Sequence, residues 1–334
     1  MTINDKDAAL HYMRHVGGYR LKGYWFHLRE PGSGSLPRGT SFDHVIQRYE
    51  FDRALRRIFF EALEQIEISV RAQMSNYFSG CHGPHWFLLD GLFHSREDPA
   101  SPGQSLPNEV RQKIERDVNQ ARDRPYVQHY RKNYSSPPIP PSWTTSECLS
   151  FGVWSRAHRA LKDPTHKSAI AKIFNVHHAS TFSSWLHVLS VLRNGVAHHG
   201  RLWRLDADVK PLDYKQKKIH FDEARRRSLY AASTVINYVL DNVSLANTWR
   251  DTLQSVLAEF PTIGLGDIGF PDDWDARPGW DRADNTTPPA ERSDAKFAPS
   301  AGNRRSQRRA KASEPRLAGA MAQAFKAAES GETS

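Results

Sequence analysis

One string near residue 200 combines side-chain types that exchange protons and hold negative charge. It reads VLRNGVAHHGRLW at positions 191–203. On a helix Asn194, His198 and Arg201 are spaced by four and three residues, so the pattern predicts that they share one face. Arg193 lies about 100° from Asn194, but its side chain is long enough to reach round. The predicted cluster is an amide, an imidazole and one or two guanidiniums beside an apolar stripe.

Two interpretations of this cluster stay open at the level of residue types. Polar groups beside an apolar stripe are costly unless they have partners, which favours a functional cluster. The alternative is a solvated helix end, where histidine and arginine interact favourably with the helix dipole. The spacing alone does not separate the two.

Other enzyme signatures are weak or missing. The stretch Gly264–Gly269 matches G-x-G-x-x-G, but Pro261 precedes it, Phe270-Pro271 follows it, and position 289 is proline rather than an acid. A dinucleotide site needs a strand before the glycines and a helix after them, so we interpret this stretch as a turn. The sequence contains neither a P-loop nor a G-x-S-x-G nucleophile motif.

The chain has sixteen histidines and two cysteines, Cys81 and Cys148. Two cysteines exclude a disulfide scaffold and a four-cysteine zinc site. Three histidine groups stand out: His177-His178, His198-His199 and Cys81-His82-x-x-His85. Adjacent histidines on a helix point about 100° apart and seldom bind one ion. We therefore predict no metal and no cofactor.

Hydrophobic spacing near 3.6 residues recurs along most of the chain and predicts an all-α fold, a helical bundle with elaborations. The predicted helices cover residues 5–15, 40–80, 108–124, 126–134, 143–160, 166–174, 177–203, 222–242 and 249–260. Thr40 is expected to begin the second of them and Gly80 to end it. Residues 83–107 are expected to carry only short turns, and 218–221 a short strand.

The end of the chain differs in composition. Residues 283–334 are rich in proline, serine, arginine, alanine and glycine and have few large apolar side chains, so we expect a disordered basic tail. Ten basic and seven acidic residues follow position 280, which leaves +6 of the net charge of +9 on the body. A basic body permits a polyanionic partner. No apolar run is long enough to cross a membrane and no signal peptide is evident, so we expect a soluble, cytoplasmic protein.

Six collinear segments make the chain recognisable. They are HYMRHVGGYRLKGYWF (11–26), QRYEFDRALRRIFFEALEQIEISVRAQ (47–73), PPSWTTSECLSFGVWS (140–155), VLRNGVAHHGRLW (191–203), FDEARRRSLYAAS (221–233) and IGFPDDWDARPGW (268–280). Together they resemble the Abi family, the abortive-infection proteins of bacterial phage defence. The R-N-x-x-x-H string resembles the R-x-x-x-x-H signature of the HEPN superfamily of helical ribonucleases. The resemblance implies an Abi-like domain over 1–282, with a HEPN-like core at about 140–260.

The resemblance also implies an activity, namely metal-independent cleavage of cellular or phage RNA by an endoribonuclease toxin. Arg193, Asn194 and His198 would be the catalytic residues: His198 would move protons, Arg193 would neutralise charge on the phosphorane, and Asn194 would orient one of them. His199 and Arg201 would be supporting residues. The implied partners are RNA, a second copy of the chain in a symmetric homodimer, and an antitoxin of unspecified nature. The alternative is a non-catalytic RNA-binding or interaction module on the same scaffold.

Overall fold

A computed structural model of the chain describes residues 1–94, 96–98, 101–106 and 109–280. The described part is helical apart from two short strands, which confirms the all-α prediction. The α-helices are α1 (Lys6–Tyr12), α2 (Gly18–Lys22), α3 (Phe42–His82), α4 (Glu109–Gln120), α5 (Pro125–Asn133), α6 (Ser142–Thr145), α7 (Phe151–Ala160), α8 (Pro164–Ile173), α9 (Ala179–Ala197), α10 (Leu229–Val243) and α11 (Trp249–Glu259). The predicted tail, 283–334, lies outside the described residues.

Helix α3, with 41 residues, is the longest helix in the described part of the chain. It packs against α9, α10 and α11, and α9 in turn packs against α7, α8 and α10. The buried face of α9 carries Phe182, Trp185 and Leu189, which are fully buried. Burial of such side chains contributes about 1.5–3 kcal/mol each, so α9 is held along its length by its apolar face.

The ends of α3 differ slightly from the prediction. Ser41, rather than Thr40, caps the helix, because its hydroxyl accepts a hydrogen bond from the His44 N–H at 3.3 Å. The helix also passes through Gly80 and ends at Gly83, whose φ of +84° suits a residue without a side chain.

Besides the predicted helix 177–203, which ends at Ala197, two predicted helices are shorter or broken. Residues 143–160 do not form one helix, because the chain between α6 and α7 makes a single 3₁₀ turn at Ser146–Cys148 and then extends. The Ser146 hydroxyl donates to the Trp143 carbonyl at 2.8 Å, a local bond that competes with helix continuation. Residues 222–228 form turns rather than the start of α10, and ion pairs such as Arg226–Asp213 at 2.7 Å hold them there.

The strand predictions were also wrong in position. Residues 218–221 form only an isolated bridge between Tyr214 and Ile219. Instead β1 (Arg96–Asp98) and β2 (Ser101–Leu106) pair antiparallel inside the segment that we expected to hold only turns. The Gly264–Gly269 stretch is a 3₁₀ turn that ends in a left-handed glycine, in line with its interpretation as a turn. No helix in the described ranges has both the length and the apolar character needed to cross a bilayer.

Candidate functional site

The predicted site lies where α9 ends and the chain turns away from it. The last helical residue is Ala197, and the backbone N–H groups of His199 and Gly200 donate to the carbonyls of Val196 (3.0 Å) and Gly195 (2.7 Å). These two bonds form a Schellman C-cap, with His199 at the left-handed position (φ +58°) that glycine usually takes.

The early end of α9 corrects one prediction. Asn194 and His198 lie one turn apart, joined by the His198 N–H and the Asn194 carbonyl at 3.0 Å. Arg201 is beyond the cap, so it does not continue their face. The prediction that Asn194, His198 and Arg201 share one helical face is therefore wrong for Arg201, because the reversal at His199 redirects the chain.

Asn194 and His198 have free side chains. Both are exposed, and neither side chain has a hydrogen-bond partner among the described residues. Val191 and Gly195 are exposed on the same side of α9. An amide and an imidazole one turn apart on an open surface are available to a ligand.

Arg193 is held differently. Its Nε donates to Oε2 of Glu67 on α3 at 2.6 Å, and the Arg193 side chain is 32% exposed. No described residue accepts a hydrogen bond from the terminal Nη atoms of Arg193. The four N–H donors on the two terminal nitrogens thus stay available for an anion, while the Nε–H bond fixes the orientation of the guanidinium.

Glu67 is the residue that sequence reasoning missed. The i,i+4 pair Glu67 and Arg71 looks like a solvated surface pair, but the Glu67 side chain is only 5% exposed. Glu67 accepts from Arg71 at 3.2 Å as well as from Arg193, and Arg71 also contacts Glu147 at 3.3 Å. Glu67 lies four residues after the buried Leu63, so its place on the apolar face of α3 was the available signal.

A second buried carboxylate fixes the chain that follows the turn. Oδ1 of Asp52 accepts hydrogen bonds from the backbone N–H groups of Leu202 (2.8 Å) and Trp203 (2.6 Å). Oδ2 accepts from the Tyr24 hydroxyl at 2.7 Å and from Arg56. Burial, and then the Asp52 carboxylate, raise the pKa of Tyr24, so its hydroxyl stays protonated and donates. The end of the 191–203 string is thereby attached to α3.

His199 and Arg201 have structural contacts with the N-terminal helices. Arg20 donates to the His199 carbonyl at 2.6 Å, and Arg201 donates to the Gly23 carbonyl. Both bonds tie the turn after α9 to the end of α2. The His199 contact is made by its backbone carbonyl and the Arg201 contact by its guanidinium.

No hydrogen bond joins the Arg193 and His198 side chains within one chain. The two residues are five positions apart, or about 140° around a helix axis. One chain thus has two separate polar groups near the end of α9: Asn194 with His198, and the Arg193 guanidinium on Glu67. We call each of them a candidate half-site.

The surface beside α9 is positively charged. His187 lies on the same side of α9 as Val191 and Asn194, and burial, followed by the charges of Arg159 and Arg156, lowers the pKa of His187. Arg156 and Arg159 are exposed on α7, and neither pairs with an acidic residue of the described part of the chain. These two guanidiniums and His187 form a basic patch on α7 and α9, and such a patch is compatible with a polyanionic ligand.

Within the described ranges, no group of three or more histidine, cysteine, aspartate or glutamate side chains is arranged to hold a metal ion. The Cys81-His82-x-x-His85 cluster does not converge: His85 contacts Tyr130, whereas His82 faces His166 of α8.

Comparison with known proteins gives one match. A family model described as Abi-like protein matches residues 11–204, more than half of the chain. No curated protein and no solved structure matches it. The matched range contains Asp52, Glu67, Arg193, Asn194 and His198.

Proposed function

The chain belongs to the Abi-like protein family, and from this premise we propose that it acts in abortive infection, as a metal-independent endoribonuclease that cleaves cellular or phage RNA in the bacterial cytoplasm. The observation that carries the proposal is the pair of half-sites at the end of α9. Asn194 and His198 are exposed and have no side-chain partner among the described residues, and within the same residues nothing occupies the two terminal nitrogens of the nearby Arg193. We further propose that residues 140–260 form a HEPN-like core, since the 193–198 spacing is the superfamily's signature.

In the proposed reaction one His198 acts as general base on a ribose 2′-OH. The 2′-oxygen attacks the adjacent phosphorus, the bond to the 5′-oxygen breaks, and a protonated imidazole returns a proton to that oxygen. The products are a 2′,3′-cyclic phosphate and a 5′-OH end. An imidazole can both accept and donate a proton, as the two transfers require. The terminal nitrogens of Arg193 stabilise the charge on the phosphorane, and Asn194 orients the phosphate or His198.

The separation of Arg193 from His198 supports a homodimeric site. Two α9 helices that face each other across a two-fold axis place the Arg193 of one protomer opposite the His198 of its partner. Gly195 lies on the exposed side of α9 near its C-terminal end, and a Cβ on Gly195 meets no atom of its own chain within 4 Å. A glycine there permits a close approach of the second helix.

One observation favours the alternative function, a non-catalytic RNA-binding module. Glu67 neutralises part of the Arg193 charge, and a phosphate near Arg193 also approaches the Glu67 carboxylate. Arg156, Arg159 and His187 support RNA binding in either case. An antitoxin partner remains part of the proposal on family grounds alone.

The test is inducible expression of the full chain in a bacterial host, with growth and RNA ends as readouts. His198→Ala is expected to abolish growth arrest and RNA cleavage, because the variant removes the proton-transfer group. His199→Gly is the matched control: it removes the neighbouring imidazole, and the arrest should persist. Growth arrest by His198→Ala, or cleavage that requires added divalent ion, contradicts the mechanism. RNA binding without cleavage supports the alternative module.

A further inference from the structure

Two histidines far apart in sequence meet beside a cavity on the opposite end of α3 from its N-cap. His82, in the last turn of α3, and His166, on α8, have their Nε2 atoms 3.1 Å apart. The cavity has a volume of about 460 Å³, and His82, His166, Asp90, Lys162 and Asp163 are among the residues that line it. The proposed nuclease site uses none of these residues.

The distance between the two nitrogens matches the spacing of ligands on one metal ion. Imidazole nitrogens bind Zn²⁺ at about 2.0–2.1 Å, so two of them at the tetrahedral angle lie roughly 3.3 Å apart. The observed 3.1 Å corresponds to an angle of roughly 98°. A rotation of the rings that turns both Nε2 lone pairs to a common point would let the two nitrogens bind one ion.

The surroundings of His166 resemble the support that metal-binding histidines usually have. Its Nδ1 lies 2.9 Å from the Tyr77 hydroxyl. With the proton on Nδ1, His166 donates to the Tyr77 oxygen and keeps the Nε2 lone pair free, the arrangement that orients a ligand imidazole. The ring of Phe78 packs against both imidazoles, at centroid distances of 6.2 Å to His82 and 5.4 Å to His166.

We propose that His82 and His166 form a two-histidine site for a divalent transition ion of the imidazole-binding class, Zn²⁺, Ni²⁺ or Cu²⁺. No third protein ligand among the described residues completes it, so water from the cavity fills the remaining positions and the ion exchanges readily. The ion joins the C-terminal end of α3 to α8. This proposal stands on its own geometry and does not depend on RNA cleavage.

The competing interpretation is a direct hydrogen bond between two neutral imidazoles, one donor and one acceptor. In that case the Tyr77 hydroxyl donates to Nδ1 of His166, and Nε2–H of His166 donates to His82. A metal titration distinguishes the metal site from the simple hydrogen bond, because only the metal site predicts that the protein binds one ion per chain.

The experiment is calorimetric titration of chelator-treated, full-length protein with ZnCl₂, followed by NiCl₂ and CuCl₂. Wild type is expected to bind one equivalent per chain, and a hundredfold excess over Kd should raise the thermal transition by roughly 5 °C. His82→Gln and His166→Gln should each lose that equivalent. His85→Gln is the matched control, since His85 is close in sequence but contacts Tyr130, and it should bind like wild type.

Electron paramagnetic resonance of Cu²⁺ bound to the wild-type protein tests the site without any variant of His82 or His166. Cu²⁺ bound to wild type should show paramagnetic resonance couplings from two imidazole nitrogens, and His198→Ala, in the His198-His199 pair, should leave that spectrum unchanged. Absence of a stoichiometric ion on wild type overturns the proposal, and so does an unchanged equivalent in the His82→Gln and His166→Gln proteins when both retain the helical circular dichroism of wild type.

Discussion

Arg193 and Glu67 are 126 positions apart in the chain, and a 2.6 Å ion pair joins Nε of the arginine to Oε2 of the glutamate. The pair links the end of α9 to the middle of α3. It leaves the terminal nitrogens of Arg193 without an acceptor among the described residues, while the Glu67 carboxylate is almost completely buried. Glu67 therefore acts as a positioning residue for Arg193 in the proposed nuclease.

Replacing Glu67 tests that role. Glu67→Gln should reduce RNA cleavage at least tenfold, because a neutral amide no longer holds the Arg193 guanidinium in one orientation. Glu64→Gln, on the exposed side of the same helix, is the control and should behave as wild type. A Glu67→Gln protein that loses stability but cleaves RNA at the wild-type rate would show that the glutamate is only structural.

The buried carboxylate of Asp52 should matter for stability. Asp52→Asn leaves Arg56 without its buried ion-pair partner and gives the two backbone N–H groups at 202 and 203 a weaker acceptor. We expect a loss of about 3–5 kcal/mol in the free energy of unfolding, measured by urea denaturation. Asp7→Asn, at an exposed position, should change that free energy by less than about 0.5 kcal/mol. Equal stability of the two variants would contradict the anchoring role.

The left-handed conformation of His199 predicts a stabilising substitution. His199→Gly should raise the free energy of unfolding by about 0.5–1 kcal/mol, because glycine adopts φ near +58° without a Cβ clash. Gly200→Ala should lower it, since a Cβ on Gly200 comes within 2.8 Å of the Gly195 carbonyl oxygen. Thermal unfolding of both variants should show a higher melting temperature for His199→Gly and a lower one for Gly200→Ala. A destabilised His199→Gly protein would mean that the imidazole makes a contact important for the fold.

The free energy of unfolding should decrease as the pH is lowered, because of His158. This residue is fully buried, and burial lowers its pKa to about 4. The neutral ring accepts from Ser183 at 2.8 Å and donates to the Lys167 carbonyl at 3.2 Å. As the pH is lowered, His158 takes up a proton in the unfolded chain before it does so in the folded chain. The neutral His158 ring therefore stabilises the fold fully above about pH 6.5, and about 3 kcal/mol of that stabilisation is lost as the pH falls towards 4. Urea unfolding of wild type and His158→Gln should show their stability difference shrinking over that interval; a constant difference would refute the assignment.

Assembly can be tested at Gly195. A side chain at this position meets nothing within its own chain, so Gly195→Glu should fold normally but prevent a second α9 from approaching. Light scattering should report a dimer for wild type and a monomer for the variant, with loss of cleavage. Gly80→Glu, at an equally open helical position, is the control and should stay dimeric. A monomeric wild type at micromolar concentration would rule out the shared site.

The sequence by itself determined most of the helices, because apolar spacing near 3.6 residues is a local property of the chain. It also predicted that Asn194 and His198 lie one helical turn apart, because that relation is local. Only the tertiary structure decided that Arg193 pairs with Glu67, that Asp52 holds the backbone at 202 and 203, and that α9 stops at Ala197. These outcomes depend on the packing of α3 against segments more than a hundred residues away, and on whether a carboxylate is buried. Local spacing carries no information about which distant partner neutralises a buried charge, because that partner is chosen when the helices pack.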